Sequence, residues 1–155
     1  MRGSLLFDPI RKKRVAATPE EIVRQSLIKQ LIEELGYPSE LIAVEKDLKT
    51  LPHLLESQER PPKRRADLLC FGKGIHPLYP LYPLLLIECK ELACDFRVRE
   101  QVVGYNHVVK AFFVGIASRQ GFELGYFDQA QQTYCFSSRL PTYAELVRSC
   151  KSGSL

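Results

Sequence analysis

The chain has 155 residues and a mass of 17.7 kDa, which fits one domain able to bury a core without disulfides or a structural metal. Its 45% hydrophobic and 26% charged residues are ordinary for a folded protein and exclude extensive disorder away from the two ends. The net charge of +4 and pI near 8.8 are modest, so contact with phosphate must come from local clustering.

Residues 1–17 read as an irregular basic leader containing Arg11-Lys12-Lys13-Arg14. Either a solvated loop or a phosphate contact suits that cluster. The apolar stretch before Asp8 and Pro9 is too short for the core of a signal peptide. No run reaches the ~18 apolar residues of a membrane span, and a cytoplasmic location is expected. Thr18 is a natural N-cap, Pro19 suits the first helical position, and Glu21 stands where a capping box places its acid. Val23, Leu27, Leu31 and Leu35 recur at four-residue steps, so the spacing predicts a helix that Gly36 ends.

A first strand is expected within Leu41 to Leu48, and the prolines at 52, 61 and 62 make 50–64 a connection. Ala66 to Phe71 reads as a second strand followed by a turn at Gly72 to Gly74. Ile75 to Pro83 is an insert rich in Pro, Tyr and Leu. Its prolines remove ladder donors, which predicts an extended loop and not a central strand. Leu84 to Lys90 is then the third strand. A helix follows from Arg97 to Lys110, and strands follow at Ala111 to Ala117, near Gly121 to Phe127 and near Gln132 to Phe136. One or two helical turns are expected after Thr142, with 149–155 a disordered tail. A single domain over 18–148 is implied, with the order α-β-β-β-α-β: an α/β fold whose mixed central sheet of four or more strands is flanked by helices.

Five cysteines, at 70, 89, 94, 135 and 150, are odd in number and lack C-x-x-C spacing. They argue against a disulfide framework and a zinc site and read as structural or incidental thiols. His53, His76 and His107 carry no assigned role.

Chemistry concentrates at two strand ends. Asp67 opens one apolar run, and Glu88-Cys89-Lys90 ends another. A hard divalent cation needs only one or two carboxylates, its other ligands being waters and substrate oxygens. Lys90 shares a strand face with Glu88 at period two and can orient an attacking water. An antiparallel pairing of these two strands would bring both ends together. Lys63, Arg64 and Arg65 stand just before Asp67, where they would meet the backbone of a nucleic acid.

Arg65-Ala66-Asp67-Leu68-Leu69 and Leu86-Ile87-Glu88-Cys89-Lys90 resemble the core of the PD-(D/E)-x-K nuclease superfamily. Within it the chain is most similar to the N-terminal nuclease domain of type I restriction enzyme R subunits. Asp8-Pro9-Ile10-Arg11-Lys12, the Thr18 to Gln25 helix start, Leu35-Gly36-Tyr37-Pro38 and Gln101-x-x-x-Tyr105 support the resemblance over residues 8 to 143. Ala66 stands where many members have proline. The resemblance implies a restriction-endonuclease-like core, with Asp67, Glu88 and the Cys89 carbonyl as ligands of Mg²⁺ (Mn²⁺ as a substitute) and Lys90 at the attacking water. It adds an acid on the first helix, Glu21 in preference to Glu20, with Gln25 one turn later as the alternative. Gln101 and Tyr105 would support the site and contact DNA.

The function so implied is Mg²⁺-dependent DNA endonuclease activity of restriction or repair type. The alternatives are a nucleic-acid-binding module that keeps the fold without cleaving, and a protein-interaction domain docking through 75–83. No G-x-x-x-x-G-K-[ST] loop occurs, so the chain by itself is not expected to drive translocation with ATP. DNA is the expected partner. The resemblance also points to a separate helicase or specificity subunit and to a homodimer.

Overall fold

Asp8 makes a turn where the sequence reading expects none. In the computed structural model, which describes residues 3–55, 65–92 and 95–152, its carboxylate accepts the amides of Ile10 at 2.7 Å and Arg11 at 3.0 Å. That turn closes a hairpin of β1 (Leu5–Asp8) against β2 (Lys13–Ala16), so the leader is ordered strand and not irregular coil. Two four-residue strands are too short for their alternation to register in the sequence.

Helix α1 runs Pro19–Glu33 and starts as its sequence dictates: the Thr18 hydroxyl accepts the Glu21 amide at 3.2 Å. Glu21 supplies only this amide to the cap, and its carboxylate turns to two arginines. At the far end Gly36 takes φ +73, a conformation that disfavours side chains, and the Tyr37 amide folds back on the Leu31 carbonyl at 2.9 Å.

Six strands follow in chain order across one sheet: β3 (Ile42–Asp47), β4 (Arg65–Lys73), β5 (Leu81–Cys89), β6 (Phe113–Ser118), β7 (Gly121–Asp128) and β8 (Thr133–Ser137). Neighbours are antiparallel except β5 and β6, which are parallel and joined through helix α3 (Phe96–Val109). A short helix α2 (Pro52–Leu55) lies between β3 and β4, and α4 (Tyr143–Ser152) closes the described chain. Residues 149–152 are therefore helical, which corrects the expected disordered tail. The amphipathic alternation of Tyr143, Leu146, Val147 and Cys150 carries the helix on, Leu146 being fully buried.

Alternation along the sheet sorts the core into two layers. Leu85, Ile87 and Cys89 of β5 pack with Val23, Leu27, Ile28 and Leu31 of α1. Leu86, with Leu69 of β4, lies under Tyr105 and Val109 of α3, and Val102 covers Val114 and Ile116 of β6. Burial on both faces explains why β5 reads as a nearly unbroken apolar run.

Strand β5 begins three residues earlier than its prolines suggest. Pro83 lies inside it, opposite Phe71, beside a register shift between Cys70 and Phe71. Its carbonyl accepts the Phe112 amide at 3.3 Å, so its ring nitrogen also faces β6, and that ladder starts only at Leu85. A missing donor there breaks no bond, which is how a central strand tolerates the residue.

Asn106 ties the end of α3 to the sheet. Its amide oxygen accepts the Ala111 amide and its amide nitrogen donates to the Ala111 carbonyl, both at 2.9 Å, while Lys110 turns left-handed at φ 59. Replacing Asn106 by Ala leaves the buried Ala111 amide and carbonyl without these partners. Asn106→Ala should lower stability by about 2 to 3 kcal/mol in urea denaturation at neutral pH, whereas the exposed neighbour His107→Ala should leave the midpoint nearly unchanged.

Candidate active site at one end of the sheet

Leu68 is paired with Ile87 in the antiparallel ladder, so the next step of the register sets Asp67 beside Glu88. A direct bond confirms the juxtaposition: the Cys89 amide donates to Asp67 Oδ2 at 2.9 Å. The Asp67 side chain keeps 32% of its surface exposed, whereas Glu88 is buried at 6%. Lys90 lies one residue past the strand, half-buried, and its amide still donates to the Ala117 carbonyl of β6 at 2.8 Å. The antiparallel pairing thus brings the start of β4 and the end of β5 together, as the sequence reading requires.

Two arginines bind this end together: Arg24, which the sequence reading leaves without a role, and Arg11, which it places in a basic cluster. Arg24, one turn after Glu21 on α1, donates through Nε to Glu21 Oε2 at 2.7 Å and reaches Glu45 Oε1 at 3.4 Å. Its Nη1 lies 3.9 Å from Asp67 Oδ1. Arg11, from the hairpin turn, pairs with Asp8 at 2.5 Å, with Glu45 at 3.3 Å and with Glu21. Gln25 also donates to Glu21, at 3.3 Å. Burial opposes the charge on Arg24, but Glu21, Glu45 and Asp67 outweigh it and hold the guanidinium above its ordinary range. Burial likewise acts to raise the Asp8 carboxyl. The Arg11 side chain and the Arg11 and Ile10 amides overcome that and hold it below the usual carboxylate range.

Glu21 is therefore a partner of arginines, and Arg24 stands between it and Asp67. Of the helix pair Gln101 and Tyr105, Gln101 is exposed, but Tyr105 is 5% exposed within the α3 layer against Leu69, Leu86 and Val109. A ring so enclosed cannot meet DNA, because the stripe that includes Val102 and Val109 turns it to the sheet. Arg65 is exposed at the start of β4, and Lys63 and Arg64 lie outside the described residues. Arg11 is no free phosphate contact, being engaged by three carboxylates. The four described cysteines are free thiols, and burial pushes the Cys70 thiol up to about 12. No helix among the described residues is long and apolar enough to cross a membrane.

A six-stranded mixed sheet flanked by helices, with Asp67, Glu88 and Lys90 gathered at one end of its central strands, defines a restriction-endonuclease-like core. The model of the type I restriction enzyme R protein N terminus family matches residues 19–141, and the chain belongs to that family. Among solved structures it is similar to a fragment described as an HsdR subunit of a type I restriction enzyme from Vibrio vulnificus YJ016. That likeness has a TM-score of 0.52 and 17% identity over 88% of this chain. The chain spans 25% of that fragment's length. No curated protein matches it significantly.

Breaking the arginine network should be costly in a way that depends on pH. The lowered Asp8 carboxyl stabilises the fold above its unfolded pKa, about 4, and that contribution is lost as pH falls through its folded value. Asp8→Asn should therefore unfold at lower urea concentration than wild type at pH 7, and the difference should shrink below pH 4. A gap of the same size at both pH values would count against the assignment. Glu21→Gln, which leaves two arginines short of a buried partner, should cost about 3 to 5 kcal/mol at pH 7.

Proposed function

We propose that this domain is a metal-dependent DNA endonuclease of PD-(D/E)-x-K type, hydrolysing phosphodiester bonds as the nuclease part of a restriction system. The bond from the Cys89 amide to Asp67, which fixes one carboxylate beside the Glu88-Cys89-Lys90 strand end, is the observation that carries this reading. Membership of the R protein N terminus family supports it. Motor and specificity functions are then supplied by other domains or subunits, and DNA is the substrate.

The donor set suits a hard cation. Asp67 and Glu88 offer carboxylate oxygens and Cys89 a backbone carbonyl, while burial, reinforced by Asp67, raises the Cys89 thiol so far that it stays protonated and is no thiolate ligand. Among the described residues no three His, Cys, Asp or Glu side chains converge into an all-protein cage. Two carboxylates with open positions left for water and phosphate are what Mg²⁺, or Mn²⁺ in its place, uses. When bound, such a cation supplies positive charge to the scissile phosphate and acidifies a water. Asp67 and Glu88 would hold it, Lys90 would orient the attacking water, and Gln101 would help to position it. Glu21 acts at one remove, by holding Arg24 beside Asp67. Arg65, with Lys63 and Arg64, would hold the flanking backbone.

A second reading, a DNA-binding domain that keeps the fold without hydrolysis, draws on the same geometry. Arg24 lies 3.9 Å from Asp67 Oδ1 and already supplies that carboxylate with positive charge.

Plasmid DNA incubated with the protein in Mg²⁺ separates the two. Hydrolysis is expected, suppressed by EDTA, and reduced about a hundredfold or more in Asp67→Asn and Lys90→Ala. Equal cleavage by wild type and Asp67→Asn would defeat the assigned site. Absence of cleavage, with DNA binding equal in wild type and Asp67→Asn, would leave the second reading.

A further inference from the structure

We infer that the cleft between α1 and the β6–β7 turn carries a DNA strand away from the strand-end carboxylates, with Arg119 as a phosphate contact. The inference deepens the nuclease reading and rests on it. Because β4 runs opposite to β5 and β6 runs with β5, one end of the sheet collects the start of β4, the end of β5, the end of β6 and the start of β7. Lys90 is bonded to Ala117 at that end, and the two-residue turn Arg119-Gln120 follows one residue later.

The turn is built to present its tip. Ser118 pairs with Gly121, the Ser118 hydroxyl accepts the Gln120 amide at 3.2 Å, and Gly121 takes φ +146, which L side chains rarely adopt. Arg119 and Gln120 are both exposed. No ion pair among the described residues engages Arg119, in contrast to Arg99, which is held by Glu123, and Arg139, held by Glu145.

Between this turn and α1 lies a cleft of about 580 Å³ whose polar lining is Ser26, Gln30, Ser118, Arg119, Gln120 and Ser138. Not one Asp or Glu lines it. Hydroxyl, amide and guanidinium groups with no opposing carboxylate suit a polyanion's backbone. The larger cleft at the opposite end of the sheet, lined by Tyr82, Lys110, Asp128 and Tyr134, carries an acid and lies away from the carboxylate pair.

Geometry fits the length of a strand segment. Arg65, Lys90 and Arg119 belong to three neighbouring strands or their ends, spaced by ~4.8 Å each. The row spans roughly 10 Å, about three nucleotide steps at the ~3.4 Å per nucleotide of one DNA strand. Arg119 is then the outermost phosphate contact on the side of the sheet away from Arg65.

The test uses the full chain and a short DNA duplex in EDTA, measuring affinity across a salt series. Arg119→Ala should weaken binding several-fold and make the slope of log K against log salt shallower by about 0.9. Arg119→Lys should restore the slope. Lys73→Ala, which removes a charge from the other end of β4, should leave it unchanged. An unaltered slope in Arg119→Ala, or an equal change in Lys73→Ala, would overturn the inference. In Mg²⁺, Arg119→Ala should raise KM for cleavage with kcat kept within about twofold, since a remote phosphate contact contributes uniform binding. Metal-dependent cleavage indifferent to Arg119 would sink this inference alone. The slope effect without any cleavage would instead sink the nuclease reading and leave the contact standing.

Discussion

The antiparallel pairing of β4 with β5 is the constraint on which the rest of this structure depends. It aligns Leu68 with Ile87, and so brings two carboxylates twenty-one residues apart in sequence to one strand end. Glu88 is buried, and a charge in such a place needs compensation. The core behind it, Leu69 and Leu86 under α3 and Leu85 and Ile87 under α1, is what holds the ladder rigid enough to keep that geometry. Apolar burial on both faces thus does for the site what the acids cannot do for themselves.

Arginines complete the arrangement from outside the sheet. Arg11 and Arg24 are shared among Asp8, Glu21, Glu45 and Asp67, so the hairpin turn, α1, the end of β3 and the start of β4 are tied through one set of charges. The hairpin is therefore part of the site's framework, with Arg11 as its contribution.

Much of this was readable from sequence because period and punctuation survive there. Thr18-Pro19 and Gly36 bracket α1, the apolar runs before and after the insert mark β4 and β5, and the two acids with Lys90 stand at their ends. What was hidden has physical causes. The β1–β2 hairpin rests on one aspartate accepting two amides, which four-residue strands do not advertise. Pro83 enters a central strand because its missing donor faces a stretch where the parallel ladder has not begun. Glu21 and Arg24 stand three apart on α1 and pair at that helical spacing. The reach of Arg11 to Glu21 and Glu45, across 10 and 34 residues, is encoded by no local spacing. Tyr105 misled because a helix stripe identifies a buried face without saying which polar member lies at its edge.

How Arg24 and the proposed divalent cation would share Asp67 is decided by distance. Arg24 is committed first to Glu21, to which its Nε donates at 2.7 Å, and only its Nη1 approaches Asp67, at 3.9 Å. Coulomb attraction scales inversely with separation, and a charge-assisted hydrogen bond adds directional energy that the longer contact lacks. The guanidinium is thus anchored on α1 and lends Asp67 a weaker, background charge. Asp67 Oδ2 is engaged by the Cys89 amide, which orients the carboxylate. Oδ1, facing Arg24 at beyond hydrogen-bond distance, keeps lone pairs that the proposed cation would use at ~2.1 Å. The same geometry that steadies the acid without a cation leaves one of its oxygens available to hold one.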